Sequence, residues 1–326
     1  YDVAVKADNF PLDSKFAASM SNKEVRAVSM PETNEPAAKN RVSMTGRIWT
    51  VKDSNEGLYD MSVKSEQMEI NEEMLYMLPD SAAKVVTKLQ AKGKVNLNAQ
   101  FSKTDGNALP DYAINLDCLN NSINYEKYPY PLKDITGRLT ITPNGITFNN
   151  ITATPAGNIQ TDANTPVIKM NGRLNMVNDA LRDGWFTVCA NDIALDERIG
   201  VAMPESIKPM YQKLSPTGKI DLNFENIKIS AEPNSEKNID FAGTAKLKGC
   251  SFNMSPAISG LDAVMEIKGG YKTGDGLRGV KAAFSADSMK IKGKSLTNLR
   301  ADIIYDKVDK KWASENLIAD CYGGII

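Results

Sequence analysis

Shifting the 326-residue chain by 125 positions lays segment 63–98 over segment 188–223 without a gap, and ten of the 36 positions are identical. Val63 meets Val188, Glu72 meets Glu197, and Pro79 and Ser81 meet Pro204 and Ser206. Lys88-Leu89 falls on Lys213-Leu214, and Gly93-Lys94-Val95-Asn96-Leu97-Asn98 falls on Gly218-Lys219-Ile220-Asp221-Leu222-Asn223. A fixed period makes one supersecondary unit the building block, and units of this kind bury their apolar faces by stacking on a neighbour. A third, diverged copy is expected to start at Val5, where Val5 through Asp13 resemble Val188 through Asp196, with the polar segment 21–41 as a loop. The repeat units are placed at about 1–56, 57–183 and 184–326 of one elongated domain.

Each copy has the same local plan. A strand runs into an acidic helix start, Asn71-Glu72-Glu73 or Asp196-Glu197-Arg198, and a proline then precedes a second short helix. Asp80-Ser81 and Glu205-Ser206 stand where helix-start residues belong. Ala82, Val85, Val86 and Leu89 recur at helical spacing, as do Ile207, Met210, Tyr211 and Leu214. Both stripes predict short amphipathic helices, packed on their own sheet or, in the sharper reading, turned to lipid or a partner. Gly93 and Gly218 follow where left-handed caps are expected.

Elsewhere the period is two. Val95, Leu97, Ala99 and Phe101 oppose Lys94, Asn96, Asn98 and Gln100, and Ile220, Leu222 and Phe224 oppose Lys219, Asp221 and Asn223. The same alternation marks Leu139-Thr140-Ile141, Ile146-Thr147-Phe148, Ile227-Lys228-Ile229, Ala263 through Ile267 and Val280 through Ala286. Turn signals separate these runs at Asp105-Gly106, Pro143-Asn144-Gly145 and Gly274-Asp275-Gly276. The pattern predicts antiparallel sheet with one wet and one dry face.

Several function classes drop out. The chain has no histidine, which removes Ser-His-Asp and Cys-His catalysis and His-based metal sites. Its 39 basic and 40 acidic residues leave a net charge of −1, without the cationic surplus that binds nucleic acid. Cys118, Cys189, Cys250 and Cys321, spaced by 71, 61 and 71 residues, form no CxxC motif. They read as small apolar residues at equivalent strand positions or as disulfides between neighbouring rungs. Gly269 through Gly274 lacks the GK[ST] order of a phosphate loop, and Asp53 through Gly57 lacks the glycine position and distal Glu of a calcium loop. Both read as turns, no carboxylate pair stands out for acid–base work, and the chain is expected to be neither an enzyme nor dependent on a cofactor. No apolar run reaches the ~20 residues needed to span a bilayer. The chain opens inside one alternating run (Val3, Val5, Ala7) and stops in another (Gly323 through Ile326), so a longer parent protein is expected.

Large apolar side chains on a strand's dry face must be hidden, each contributing roughly 1.5–3 kcal/mol when buried. A second sheet, a closed barrel or a sheet curled round an apolar guest would each do so. A 125-residue period with several strands and a helical crossover favours a repeating, elongated sheet over a compact sandwich.

The run Pro129-Tyr130-Pro131-Leu132-Lys133-Asp134-Ile135-Thr136-Gly137-Arg138-Leu139-Thr140-Ile141, followed by Asn144-Gly145-Ile146-Thr147-Phe148, resembles the recurring hairpin of the AsmA-like and TamB-like bacterial envelope proteins. Leu317 through Ile325, with Tyr322-Gly323-Gly324, resembles that family's strand ending, and Leu78 through Leu97 and its copy at 203–222 are also similar. Pro256 through Leu261 is a shorter version that lacks the acidic residue before glycine. The resemblance implies a mainly β fold: a curved antiparallel sheet forming a repeating β-groove, with short amphipathic helices at the crossovers. It also implies a non-enzymatic lipid-transfer module of the periplasm, anchored to the inner membrane by a segment outside this chain. Its partners would be phospholipid or another acyl-chain lipid, together with membrane proteins of either membrane. The expected groove lining is Val95, Leu97, Phe101, Leu139, Ile141, Ile146, Phe148, Ile220, Leu222, Phe224, Met265, Ile267 and Phe284. The alternative is a structural or adhesive envelope scaffold with a closed β core.

Overall fold

The computed structural model describes residues 2–8, 41–50, 57–76, 78, 80–105, 109–157, 165–178, 180–205, 207–231, 236–309, 311–321 and 324–325. Nearly all of the loop expected at 21–41, most of the diverged first copy and Asp53 through Glu56 lie outside the described residues. The elements begin with β1 (Asp2–Asp8), β2 (Arg41–Thr50), β3 (Gly57–Glu69), α1 (Glu72–Tyr76), α2 (Asp80–Lys88), β4 (Lys92–Lys103) and β5 (Asp111–Ile123). There follow β6 (Leu132–Thr142), β7 (Gly145–Pro155), β8 (Val167–Val177), β9 (Ala180–Ala194), α3 (Glu197–Ala202) and α4 (Lys208–Leu214). The remaining strands are β10 (Thr217–Ser230), β11 (Asn238–Phe252), β12 (Ile258–Lys272), β13 (Gly276–Ile291), β14 (Lys294–Asp306), β15 (Lys311–Cys321) and β16 (Gly324–Ile325). The fold is mainly β, as expected, and its strands stand in the sheet in sequence order from β1 to β16.

The chain divides into two compact units. One comprises Tyr1–Ile123, Lys133–Ile151 and Val177–Asp179, and the other Asn124–Leu132, Thr152–Met176 and Ala180–Ile326. In the first, register places apolar residues in rows across neighbouring strands: Met44 on Val63, Val63 on Ala99, Ala99 on Ile114. In the second, Ile220, Leu247, Ala263, Ala286 and Leu299 form one row, and Leu222, Ala245, Met265, Phe284 and Ala301 the next. Because strand side chains alternate with period two, a one-residue slip would send a whole row to water, so these rows fix the register.

The helix pairs sit where the repeat placed them, between β3 and β4 and between β9 and β10. Equivalent residues cap their first helices: the Asn71 side chain accepts the Met74 N–H at 3.0 Å, and Asp196 accepts the Arg198 N–H at 3.0 Å. Three helix expectations need correction. First, α4 starts at Lys208, not at Glu205-Ser206, because Pro209 fits the first turn; Glu205 instead pairs with Lys208. Second, the left-handed residues that end the second helices are Gln90 (φ 48°) and Ser215 (φ 37°). Gly93 and Gly218 (φ 117° and 109°) lie at strand starts, pressed against Asn121 and Cys250 of the adjacent strand. Third, each expected apolar stripe loses one residue, while Val86 and Leu89 of the first and Ile207, Tyr211 and Leu214 of the second are half-buried as expected. Ala83 and Val86 pack on the first unit's core, while Val85 and Met210 face outward.

A regular irregularity recurs within the strands. Gln67, Asn120, Asp134 and Asn150 in the first unit, and Asp192, Asn298 and Asn316 in the second, are left-handed, with φ of 49–57°. Asn and Asp tolerate this conformation better than most residues. At Gln67 and Asp192 the displaced N–H is taken by the side chain of the next strand, Asn96 at 2.9 Å and Asp221 at 2.8 Å, again equivalent positions of the repeat.

Candidate functional site

In the first unit, the dry faces of β2, β3 and β4 border a half-open cavity of about 480 Å³. Val42, Met44 and Ile48 of β2, Tyr59, Met61 and Val63 of β3, and Leu97, Ala99 and Phe101 of β4 line it. Ile114 of β5 and two residues of the helical connection, Met74 of α1 and Leu78, complete the lining. Tyr59 alone in that lining carries a polar side-chain atom. The volume lies within the range of about 300–1,000 Å³ usual for small-ligand sites. A space lined this way offers water almost no hydrogen-bond partners, so it favours an apolar guest. One polar group stands in the adjoining row: the Ser65 hydroxyl, opposite Val42 and Leu97, is buried without a hydrogen-bond partner among the described residues.

Of the residues expected to line a groove, Leu97 and Phe101 border this cavity. Val95, Ile141 and Ile146 are buried in the same cluster, with Leu139 and Phe148 packed against it. Sequence patterning missed the contributions of β2, β3 and the helical connection. The signal was there to be read: Val42, Met44 and Ile48 alternate with Ser43, Thr45 and Arg47, and Tyr59, Met61 and Val63 with Asp60, Ser62 and Lys64, as β4 does.

The second unit is built differently. Ile220, Met265 and Phe284 pack on a core of Leu247, Cys250, Leu261, Ala263, Ala286, Met289, Leu299 and Ala319. Leu222 lies in the row of Ala245, and Phe224 meets Phe241 edge to face with ring centres 6.1 Å apart. Two larger cavities of this unit, about 720 and 740 Å³, are lined by its wet face, where Thr244, Glu266, Lys268, Lys281 and Asp302 project, and Ile267 borders the first. Alanine at every second or third place in the dry rows lets neighbouring strands' larger side chains fill the space.

Its helix pair is tied to the strand ends by polar contacts. Arg198 donates to its neighbour Asp196 through Nε at 2.9 Å and to the Ala156 carbonyl through Nη1 at 2.7 Å. The Tyr211 hydroxyl donates to the Asp196 carbonyl at 2.9 Å, and burial, then the charges of Asp196 and Tyr130, push its pKa up to about 12. Lys248 bridges Asp192 at 2.9 Å and Asp221 at 2.6 Å. Burial pushes the Asp221 carboxyl up, but the Asp192 N–H and the Lys248 ammonium outweigh it and hold it below the ordinary value.

All four cysteines are free thiols. Burial, and then Asp117, raises Cys118 to about 11, which keeps it protonated and unreactive at neutral pH. Among the described residues no group of three or more carboxylate, thiol or imidazole side chains could hold a metal ion, and no helix is long and apolar enough to cross a membrane. No family model, no curated protein and no solved structure matches the chain.

Proposed function

We propose that the chain is a non-enzymatic lipid-binding module of a bacterial envelope protein, and that its first unit shelters acyl chains of phospholipid or a related lipid. The observation that carries this reading is the cavity of about 480 Å³, walled by aliphatic, methionine and aromatic side chains from three successive strands and a helical connection. Met44, Met61 and Met74 add a polarizable, adaptable surface suited to chains of varied length. The likeness to AsmA-like and TamB-like proteins adds the setting: a periplasmic path between inner and outer membranes, along which tails slide with little desolvation at each step. No catalytic group is needed for such a role.

The test is lipid extraction and native mass spectrometry on the purified chain, with Met61→Trp as the occluding variant. Met61 is half-buried in the cavity wall, so an indole there fills the space without adding a charge. Wild type retains lipid, and the variant loses about tenfold in occupancy, equivalent to about 1.4 kcal/mol. Absence of lipid from wild type refolded with phospholipid would end this reading.

A second reading keeps the chain as an envelope scaffold. The second unit favours it, because there the dry rows are filled by protein and the two larger cavities border the wet face.

A further inference from the structure

Hydrocarbon walls give a guest nothing to bond to, so a polar side chain standing among them carries information about what fits. Ser65 is such a side chain. It is 3% exposed, and its Oγ is shielded from water and has no hydrogen-bond partner among the described residues. Strand side chains alternate, so Ser65 projects from the same face of β3 as Met61 and Val63, which both line the cavity. Its register neighbours on either side, Val42 of β2 and Leu97 of β4, line it as well. A buried serine ordinarily bonds to a nearby backbone group, and this one does not. A water would not resolve the deficit, because a buried water needs about two to four polar partners, and the side chains of Val42, Val63 and Leu97 supply none.

Burial grades along the cavity and puts Ser65 at its inner end. On β3, Gly57 is exposed, Tyr59 and Met61 are half-buried, and Val63 and Ser65 are buried. On β4, Phe101 is half-buried, and Ala99 and Leu97 are buried. The helical connection leaves β3 beyond Ser65, and its Met74 and Leu78 are buried in the lining. A saturated chain entering methyl first would bring only carbon to the hydroxyl. An ionised carboxylate or phosphate would arrive stripped of water with no cation to meet it, since every lining residue is uncharged. An uncharged oxygen meets both conditions: an ester carbonyl accepts the Ser65 proton, and a guest hydroxyl either accepts it or donates to Oγ.

We infer that Ser65 makes the cavity selective for an aliphatic guest that carries an uncharged oxygen, ester carbonyl or hydroxyl, at its inner end. The inference rests on the lipid reading and names the class of guest within it.

Competition among three guests of equal chain length tests this. The whole chain is equilibrated with an equimolar mixture of dodecane, dodecanol and methyl dodecanoate, separated by gel filtration and extracted, and the retained guests are quantified by gas chromatography. Ser65→Ala removes the hydroxyl with little change of volume. It is expected to lower the ratio of oxygen-bearing guest to dodecane about fivefold to tenfold, with dodecane itself held at least as well as by wild type. A fall confined to methyl dodecanoate assigns the ester, and one confined to dodecanol assigns the hydroxyl; either supports the inference. Equal ratios in wild type and Ser65→Ala overturn it and leave the lipid reading standing, whereas wild type that retains none of the three ends both. Met61→Trp lowers retention of all three guests; undiminished dodecanol in that variant places the guest elsewhere and also overturns the inference.

Discussion

Replacing Gly218 by alanine asks whether the two strands at the start of β10 are held as close as they look. A Cβ built there lies 2.8 Å from the Cα of Cys250 and 3.0 Å from both its Sγ and the Gly249 carbonyl oxygen. Two of these three are backbone atoms, so the strand itself must move, at about 1–3 kcal/mol. The φ of 109° adds about 1–3 kcal/mol for any residue with a Cβ. The expected total is about 2–6 kcal/mol. Gly249→Ala is the control: its φ of 56° is also left-handed, but nothing lies within 4 Å of the added carbon, so about 1–2 kcal/mol is expected. Trp185 and Trp312 both lie in the second unit, so tryptophan fluorescence in a urea titration weights that unit's transition. With an m-value of about 2–3 kcal/mol/M, Gly218→Ala lowers the midpoint by roughly 1–3 M. A shift no larger than that of Gly249→Ala would refute the steric argument. In the first unit the equivalent Gly93→Ala meets the Asn121 side chain at 2.6 Å before any backbone. Its cost joins the same backbone penalty of about 1–3 kcal/mol, at φ 117°, to the lost Asn121 hydrogen bonds to the Lys92 and Lys94 carbonyls, about 1–3 kcal/mol more.

Other perturbations follow from the same geometry. Asp221→Asn removes the charge that faces Lys248 and weakens the acceptor of the Asp192 N–H, and costs about 1–2 kcal/mol at pH 7. Because the folded carboxyl sits below its ordinary value, that stability is present above about pH 4 and is lost as pH falls through the folded pKa. The gap between wild type and Asp221→Asn in thermal melts must therefore narrow toward pH 3; a constant gap contradicts the assignment. Ser65→Ala removes a buried hydroxyl that lacks a partner, and is expected to raise stability by about 1 kcal/mol in lipid-free protein. Lowered lipid retention in that variant would show the hydroxyl meeting a lipid oxygen. Leu116→Ala, at a site 2% exposed, costs about 3–4 kcal/mol in urea unfolding, whereas Leu317→Ala, 57% exposed, changes stability by less than about 0.5 kcal/mol.

Much of the fold is legible in period-two runs and in the repeat. Val95, Leu97 and Ala99 are buried and Asn98 and Gln100 exposed, as alternation alone predicts. The Asn144-Gly145 turn joins β6 to β7. The left-handed strand residues carried a partial signal, since Gln67 and Asp192 interrupt regular runs at the same place of the repeat. Their role depends on a partner in the next strand, which spacing within one strand does not reveal. The cavity was half legible: β4 announced Leu97 and Phe101, but Met44, Met61 and Met74 come together only through register and a helix end. The helix stripes were legible at Val86, Leu89, Ile207, Tyr211 and Leu214 but not at Val85 and Met210, because a helix of seven to nine residues has few turns in which to fix its rotation.

Strand order that follows chain order has a developmental corollary. Every pairing joins segments that leave the ribosome one after the other, so each new strand finds its template already in place. A lesion such as Gly218→Ala then weakens one seam without unzipping distant ones, because each strand touches little beyond its two neighbours. The same economy lets such a chain lengthen by copying a block of about 125 residues, since a duplicated block brings its own matching borders.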